Sequence, residues 1–269
     1  VVFASPHSGN DYPWSFLRTT LLDEVTIRSS EDAFVDQLYA QAPKYGAPLL
    51  CAGAPRAFMD LNRDHDELAP ALIHGTRRNT HNPRVASGLG VIPRVVAGSR
   101  AIYRGKMPLQ DAIDRIDQYW HPYHDKLTQV LDESHAAFGE AVLLDCHSMP
   151  HEAIANIAQT GGKRPDVVIG DRFGASASRN IVEQVEAAFA SAGLTVVRNA
   201  PFAGAYVAKA YGRPAQNQHA IQIEIDRSIY MDEARIEPNA NFTAFKHILT
   251  GIIAELSNIG RSSIRVAAE

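Results

Sequence analysis

The sequence predicts an α/β protein of three layers, α/β/α, with helices on either side of a mostly parallel or mixed central sheet. Three observations carry that prediction. Short apolar runs alternate along the chain with longer stretches of helical periodicity, the signature of strands joined through helices. One run, AVLL at 141–144 closing on Asp145, is continuously apolar, as a strand covered on both faces must be. The 269 residues contain no internal repeat and no low-complexity segment, so one domain over 1–269 is expected.

The elements follow in order. An apolar strand at 1–4 stops at the turn-type cluster Ser5-Pro6-His7-Ser8-Gly9. Residues 32–45 read as a helix, with Phe34, Val35, Leu38 and Tyr39 on one face and Gly46 as its C-cap. Strands are expected at 48–52 and 57–61. Residues 70–108 are rich in Gly and Pro and show no periodicity, which marks a functional insertion. The longest helix is expected at 109–138, kinked or broken at Pro122. Strands at 141–145, 166–169, 194–197 and 220–225 alternate with helices at 176–192 and 241–256.

Composition excludes several function classes. Asp and Glu number 30 against 26 Lys and Arg, a formal net charge of −4, which gives no hint of a nucleic-acid-binding surface. No apolar run approaches the roughly 18–20 residues of a membrane span. The opening VVFASPHSG lacks the basic region of a signal peptide, so a cytoplasmic location is expected. Two cysteines, Cys51 and Cys146, exclude a disulfide scaffold and read as buried, reduced thiols. No GxGxxG, Walker, GxSxG or CxxC motif is present, which leaves nucleotide binding and serine or thiol hydrolysis without support.

The residues that carry chemistry sit at strand exits. His7 follows the first strand, where it reads as a functional histidine or as a turn residue at the surface. His147 follows the apolar run at 141–145, and Asp145, two residues earlier, points the same way along a strand. An aspartate beside a ligating histidine orients it. Two histidines at equivalent exits favour a metal, and zinc needs a third protein ligand. Asp32 is the best candidate, set against the reading of a first-turn acid on the helix dipole; Glu31 and Asp36 are fallbacks. In Gln222-Ile223-Glu224-Ile225-Asp226 the isoleucines face one way and the polar residues the other. Glu224 is then either a general base on a buried strand or a residue on the wet face of an edge strand. Arg56, Asn62, Arg63 and Arg213 are candidates for gripping a carboxylate, since guanidinium forks bind it bidentately.

Eight segments in collinear order carry a resemblance: SPHSG at His7, EDAFVDQLY at Asp32, PRAFMDLNRD through Arg56 and Arg63, WHPYHDKL through His124, LLDCHSMP at His147, IGDRFGASAS at Asp171, PFAGAYVAKAYGRP at Gly204 and QHAIQIEIDRSIYMDE at Glu224. They resemble the N-formylglutamate amidohydrolase (N-formylglutamate deformylase) family over nearly the whole chain. The resemblance implies a zinc carboxypeptidase-like fold and one catalytic Zn2+, other divalent metals being possible. It implies metal ligands at His7, Asp32 and His147, a general base at Glu224, a carboxylate grip at Asn62-Arg63 aided by Arg56, and a site-lining histidine at His219. The implied reaction is N-formylglutamate plus water to formate and glutamate, in histidine degradation. The alternatives are an amidase for another N-acyl amino acid or a peptidoglycan-type peptide, or a metal-binding relative without turnover. The expected partner is a small N-acyl amino acid substrate, with no nucleic acid and no membrane. Two departures stand out. Zinc carboxypeptidases carry His-x-x-Glu where His7 is followed by Asn10, and the family's usual glycine before the late histidine is Gln218 here.

Overall fold

The computed structural model describes residues 1–76, 82–155 and 164–260. In chain order the elements are β1 (Val2–Ser5), α1 (Trp14–Leu17), α2 (Glu24–Arg28), α3 (Val35–Tyr39), β2 (Leu49–Cys51), α4 (Pro83–Ala86), β3 (Val95–Val96), β4 (Arg100–Ala101), α5 (Leu109–Arg115), α6 (His121–Phe138), β5 (Ala141–Met149), β6 (Val167–Gly170), α7 (Arg179–Ser191), β7 (Val196–Arg198), α8 (Tyr206–Tyr211), β8 (Gln218–Asp226), β9 (Met231–Asp232), β10 (Glu237–Pro238) and α9 (Phe242–Leu256). They form two compact units.

The first unit holds Val1–Ser5, Phe34–Leu50 and the described chain from Leu127 onward. Its core is a six-stranded mixed sheet in the order β2-β1-β5-β8-β6-β7. β5 runs parallel to β1 and to β8, and β6 runs antiparallel to β8 and parallel to β7. Helices flank the sheet: α3 and α7 each pack on α9, and α8 packs on β5 and β8. The apolar run at 141–144 is thus the start of a central strand, and all nine residues of β5 are buried.

The register of β5 on β8 decides what faces what. Asp145 lies opposite Gln222 and His147 opposite Glu224. In-register neighbours on parallel strands share a face, and residues two apart do too. One face therefore carries the polar stripe Asp145, His147, Gln222 and Glu224. The other is mainly apolar, with Leu144, Cys146, Ile221, Ile223 and Ile225 all buried.

The second unit comprises Pro6–Ala33 and Cys51–Lys126. It contains little regular structure beyond short helices and the β3–β4 ribbon. A compact apolar centre compensates, with Phe16, Ile27, Met59, Leu72, Ile73, Ile92 and Ile102 almost fully buried. Arg115 stacks its guanidinium 4.0 Å from the centre of the Phe58 ring and donates to the Tyr103 hydroxyl at 2.8 Å. The irregular stretch at 70–108 belongs to this second unit, apart from residues 77–81, which lie outside the described residues.

Several expectations are corrected. Residues 57–61 are not a strand: Phe58 and Met59 turn back to donate to the Pro55 carbonyl. Consecutive residues there are buried on all sides, so their apolar character reflects burial and not a pleat. The helix expected over 32–45 begins only at Val35, because Phe34 adopts a left-handed φ of 68°, and it gives way to a 3-10 turn at Ala42–Tyr45. His147 lies within β5 rather than past it. The helix at 109–138 does not break at Pro122. A π-helical turn at Ile116–Trp120 opens the hydrogen-bond ladder just ahead of it, which accommodates a ring that would clash with the carbonyl four residues back. Cys146 is buried, whereas Cys51 is exposed. Among the described residues no helix is long and apolar enough to cross a membrane.

Candidate active site

In the second unit His7 is set by the chain that surrounds it. The turn that carries it packs on the backbone of Gly53 and Ala54, so closely that a Cβ on Gly9 would lie 2.3 Å from the Ala54 carbonyl oxygen. Only glycine permits that approach. The turn is thereby held, and His7 is 2% exposed, which removes the reading of a surface turn residue. Its carbonyl accepts from the Asp32 amide at 3.0 Å, and its Nδ1 lies 3.4 Å from Asp32 Oδ2. Asp32 is buried and stands outside α3, whose N-cap is Phe34 with no side-chain cap. The reading of Asp32 as a first-turn acid of that helix therefore falls as well.

The other His7 nitrogen reveals a residue that the sequence reading passed over. Nε2 is 2.7 Å from Asp60 Oδ1. Asp60 also accepts from the Asn62 amide at 2.9 Å and the Arg56 Nε at 3.1 Å, with Arg63 Nε at 3.9 Å. Burial alone would raise its pKa, but His7, Arg56 and Arg63 outweigh it and hold the carboxyl well below the usual range. The signal was present in the sequence as an acid between two arginines, without any indication that it reached His7.

In the first unit His147 repeats the arrangement. Its Nε2 is 2.9 Å from Asp145 Oδ2, and both residues are buried. A histidine that gives Nε2–H to a carboxylate carries its lone pair on Nδ1. Glu224, opposite it on β8, is buried and accepts from Gln222 Nε2 at 2.8 Å. The edge-strand reading of Glu224 is excluded, because β8 is bordered by β5 on one side and β6 on the other.

Asn62 and Arg63 are buried in the second unit beside Arg56. Arg63 donates from Nε to the Leu89 carbonyl at 3.1 Å, which fixes the plane of its guanidinium. Burial lowers its pKa despite the counterpull of Asp60, though an arginine remains charged at neutral pH. Glu31, a fallback ligand, is instead engaged by Arg28 and the Tyr12 hydroxyl. Burial raises the Tyr12 pKa first, and the Glu31 carboxylate adds to it. Asp36, the other fallback, lies in the first turn of α3.

Two expected substrate residues are elsewhere. His219 is an odd-numbered residue of β8, so it points to the face opposite Glu224. It also sits five residues earlier, about 16 Å along the strand at 3.3 Å per residue. There it accepts from the Ser178 amide at 3.2 Å and pairs with Glu140 at 3.2 Å. Arg213 is exposed at the same end, bridged through its backbone to Gln218. The reason is one of parity and strand direction, which a motif in one dimension does not display.

The family model for N-formylglutamate amidohydrolase matches residues 1–231. The chain belongs to that family. It is accordingly a hydrolase of the amidohydrolase class. Among curated relatives, it is 30% identical over 220 residues to the N-formylglutamate deformylase of Pseudomonas aeruginosa, covering 79% of this chain and 75% of the relative. It is 30% identical over 236 residues to that of Pseudomonas putida, covering 87% and 82%. The crystal structure of N-formylglutamate amidohydrolase from Ralstonia eutropha JMP134 superposes with a TM-score of 0.90 at 33% identity, over 97% of this chain and 94% of that one. A gene product of Agrobacterium tumefaciens shares the fold at a TM-score of 0.65 and 17% identity, over 98% and 91%.

The donors of this family member suit zinc. His7 and His147 each hold Nε2 against a buried carboxylate, and Asp32 is a buried carboxyl group. The second unit thus offers an imidazole and a carboxylate, and the first unit an imidazole, the donor types that catalytic zinc takes.

Proposed function

We propose that the chain hydrolyses the formyl amide of N-formylglutamate to formate and glutamate, using a zinc ion held by His7, Asp32 and His147. The observation that carries this reading is that each proposed histidine ligand is oriented by its own buried carboxylate, Asp60 for His7 at 2.7 Å and Asp145 for His147 at 2.9 Å. Such pairs fix the tautomer and raise the basicity of ligating imidazoles. The names of the two Pseudomonas relatives and of the Ralstonia protein favour the formylglutamate substrate.

When bound, zinc supplies Lewis acidity to a water molecule and to the amide carbonyl. Glu224 accepts the proton of the attacking water and returns it to the departing amine nitrogen. Arg63, with Asn62 and Arg56 beside it, holds a substrate carboxylate and so orients the amide. The test combines elemental analysis with a screen of N-acyl amino acids for release of free amine. Stoichiometric zinc, lost in His7→Ala and His147→Ala and weakened in Asp32→Ala, is expected. Glu224→Gln is expected to keep the metal and lose about 10²–10⁴ in kcat. Near wild-type turnover in metal-replete Glu224→Gln removes Glu224 as the base, and a preference for another acyl group or amino acid replaces the substrate.

A further inference from the structure

We infer that Gln222 is the positioning residue of the general base, locked by the backbone so that its amide group fixes the rotation of the Glu224 carboxylate. This rests on the proposed role of Glu224. The side chain of Gln222 is buried between two partners of opposite character. Its Oε1 accepts from the Ala205 backbone N–H at 2.9 Å, and its Nε2 donates to Glu224 Oε1 at 2.8 Å. A backbone N–H can only donate, so it admits the oxygen end of the amide and turns the NH₂ end toward Glu224. The orientation is therefore dictated by the main chain and not by the carboxylate it serves.

The fold provides a specific route for that main chain. Gly170 stands opposite Gln222 in the antiparallel register of β6 on β8. A Cβ there would lie 2.7 Å from Ala203 C and Gly204 N, so only a glycine lets residues 203–205 pass over the strand beside Gln222. The relay runs from Ala205 N–H through the glutamine amide to the carboxylate. Its effect is to remove rotational freedom from the group that must meet a proton, and misplacement of a reacting group is expensive in rate.

The test uses the full-length, zinc-replete enzyme with three substitutions at 222 and Glu224→Gln in parallel. Gln222→Met keeps the volume and removes both hydrogen bonds. Gln222→Glu keeps the acceptor for Ala205 and replaces the donor with a second carboxylate. Gln222→Ala removes the side chain. The expected result is a fall in kcat of about ten- to a hundredfold in all three, with KM, zinc content and melting temperature near wild type in Gln222→Met and Gln222→Glu. Wild-type kcat in the 222 variants while Glu224→Gln is inactive overturns the positioning role and leaves the base intact. Activity in Glu224→Gln overturns both. A loss of kcat that only follows a loss of folded protein in every variant also overturns it, because Gln222 is then structural.

Discussion

Replacing Asp60 with asparagine tests whether the carboxylate beside His7 tunes the proposed zinc site. The change preserves shape and removes one charge at a point where His7 Nε2 approaches to 2.7 Å, the Asn62 amide to 2.9 Å and Arg56 Nε to 3.1 Å. The asparagine oxygen still accepts from Nε2, so the ring keeps its place, but it no longer raises the basicity of the imidazole. Loss of such a partner typically costs about 10–100-fold in metal affinity, equivalent to about 1.4–2.8 kcal/mol. That energy is removed from the stabilisation that the proposed zinc ion gives the folded state. At about 2–4 °C per kcal/mol for a protein of this size, the zinc-induced rise in Tm shrinks by roughly 3–11 °C. Competition against a chromogenic chelator measures the affinity, and melts with and without zinc measure the linkage. Asp145→Asn serves as the matched change at His147. If zinc affinity in Asp60→Asn stays within twofold of wild type and the zinc-induced shift is unchanged, Asp60 does not tune the metal and the paired-carboxylate argument is refuted.

Arg63→Ala is expected to lower kcat/KM on N-formylglutamate by about ten- to a hundredfold, the equivalent of one charged hydrogen bond, with zinc content unchanged and only partial rescue by Arg63→Lys. Amidation of the substrate carboxylate produces a similar loss, and the two together are less than additive; a variant that still discriminates the two substrates as wild type does shows that the grip is elsewhere. His219→Gln is expected to leave kcat, KM and zinc untouched and to lower only the melting temperature, since His219 faces away from Glu224 and pairs with Glu140; any change in KM returns it to the site. Acid stability carries the mark of Asp60, whose folded pKa lies below its unfolded value near about 3.9. Its contribution is complete above that value and is lost as pH falls through it toward the folded pKa. Asp60→Asn melts compared between about pH 5 and pH 3 are expected to show a shallower acid decline than wild type, and parallel declines count against the assignment.

The alternation of apolar runs with helical stretches determined the α/β class, because burial in a central strand leaves a one-dimensional trace. The run at 141–144 and the alternation of 221–225 located β5 and β8, and residue parity on β8 placed Glu224 and Gln222 on one face. The placing of His147 two residues beyond Asp145 on one strand was legible from the period of two, although both lie within β5 and not past its end. Tertiary structure alone decided the partnerships. Nothing in sequence spacing brings Asp60 to His7 across 53 positions, nor the Ala205 amide to Gln222. Those contacts depend on Gly9 and Gly170 admitting another stretch of backbone where a Cβ would clash. The same holds for what the sequence suggested and the fold refused. Residues 57–61 resemble a strand in composition but turn, because a segment buried on every side has no pleat to betray it. His219 and Arg213 adjoin the Glu224 strand in sequence, yet strand direction and the period of two carry them to the far end and, for His219, to the other face.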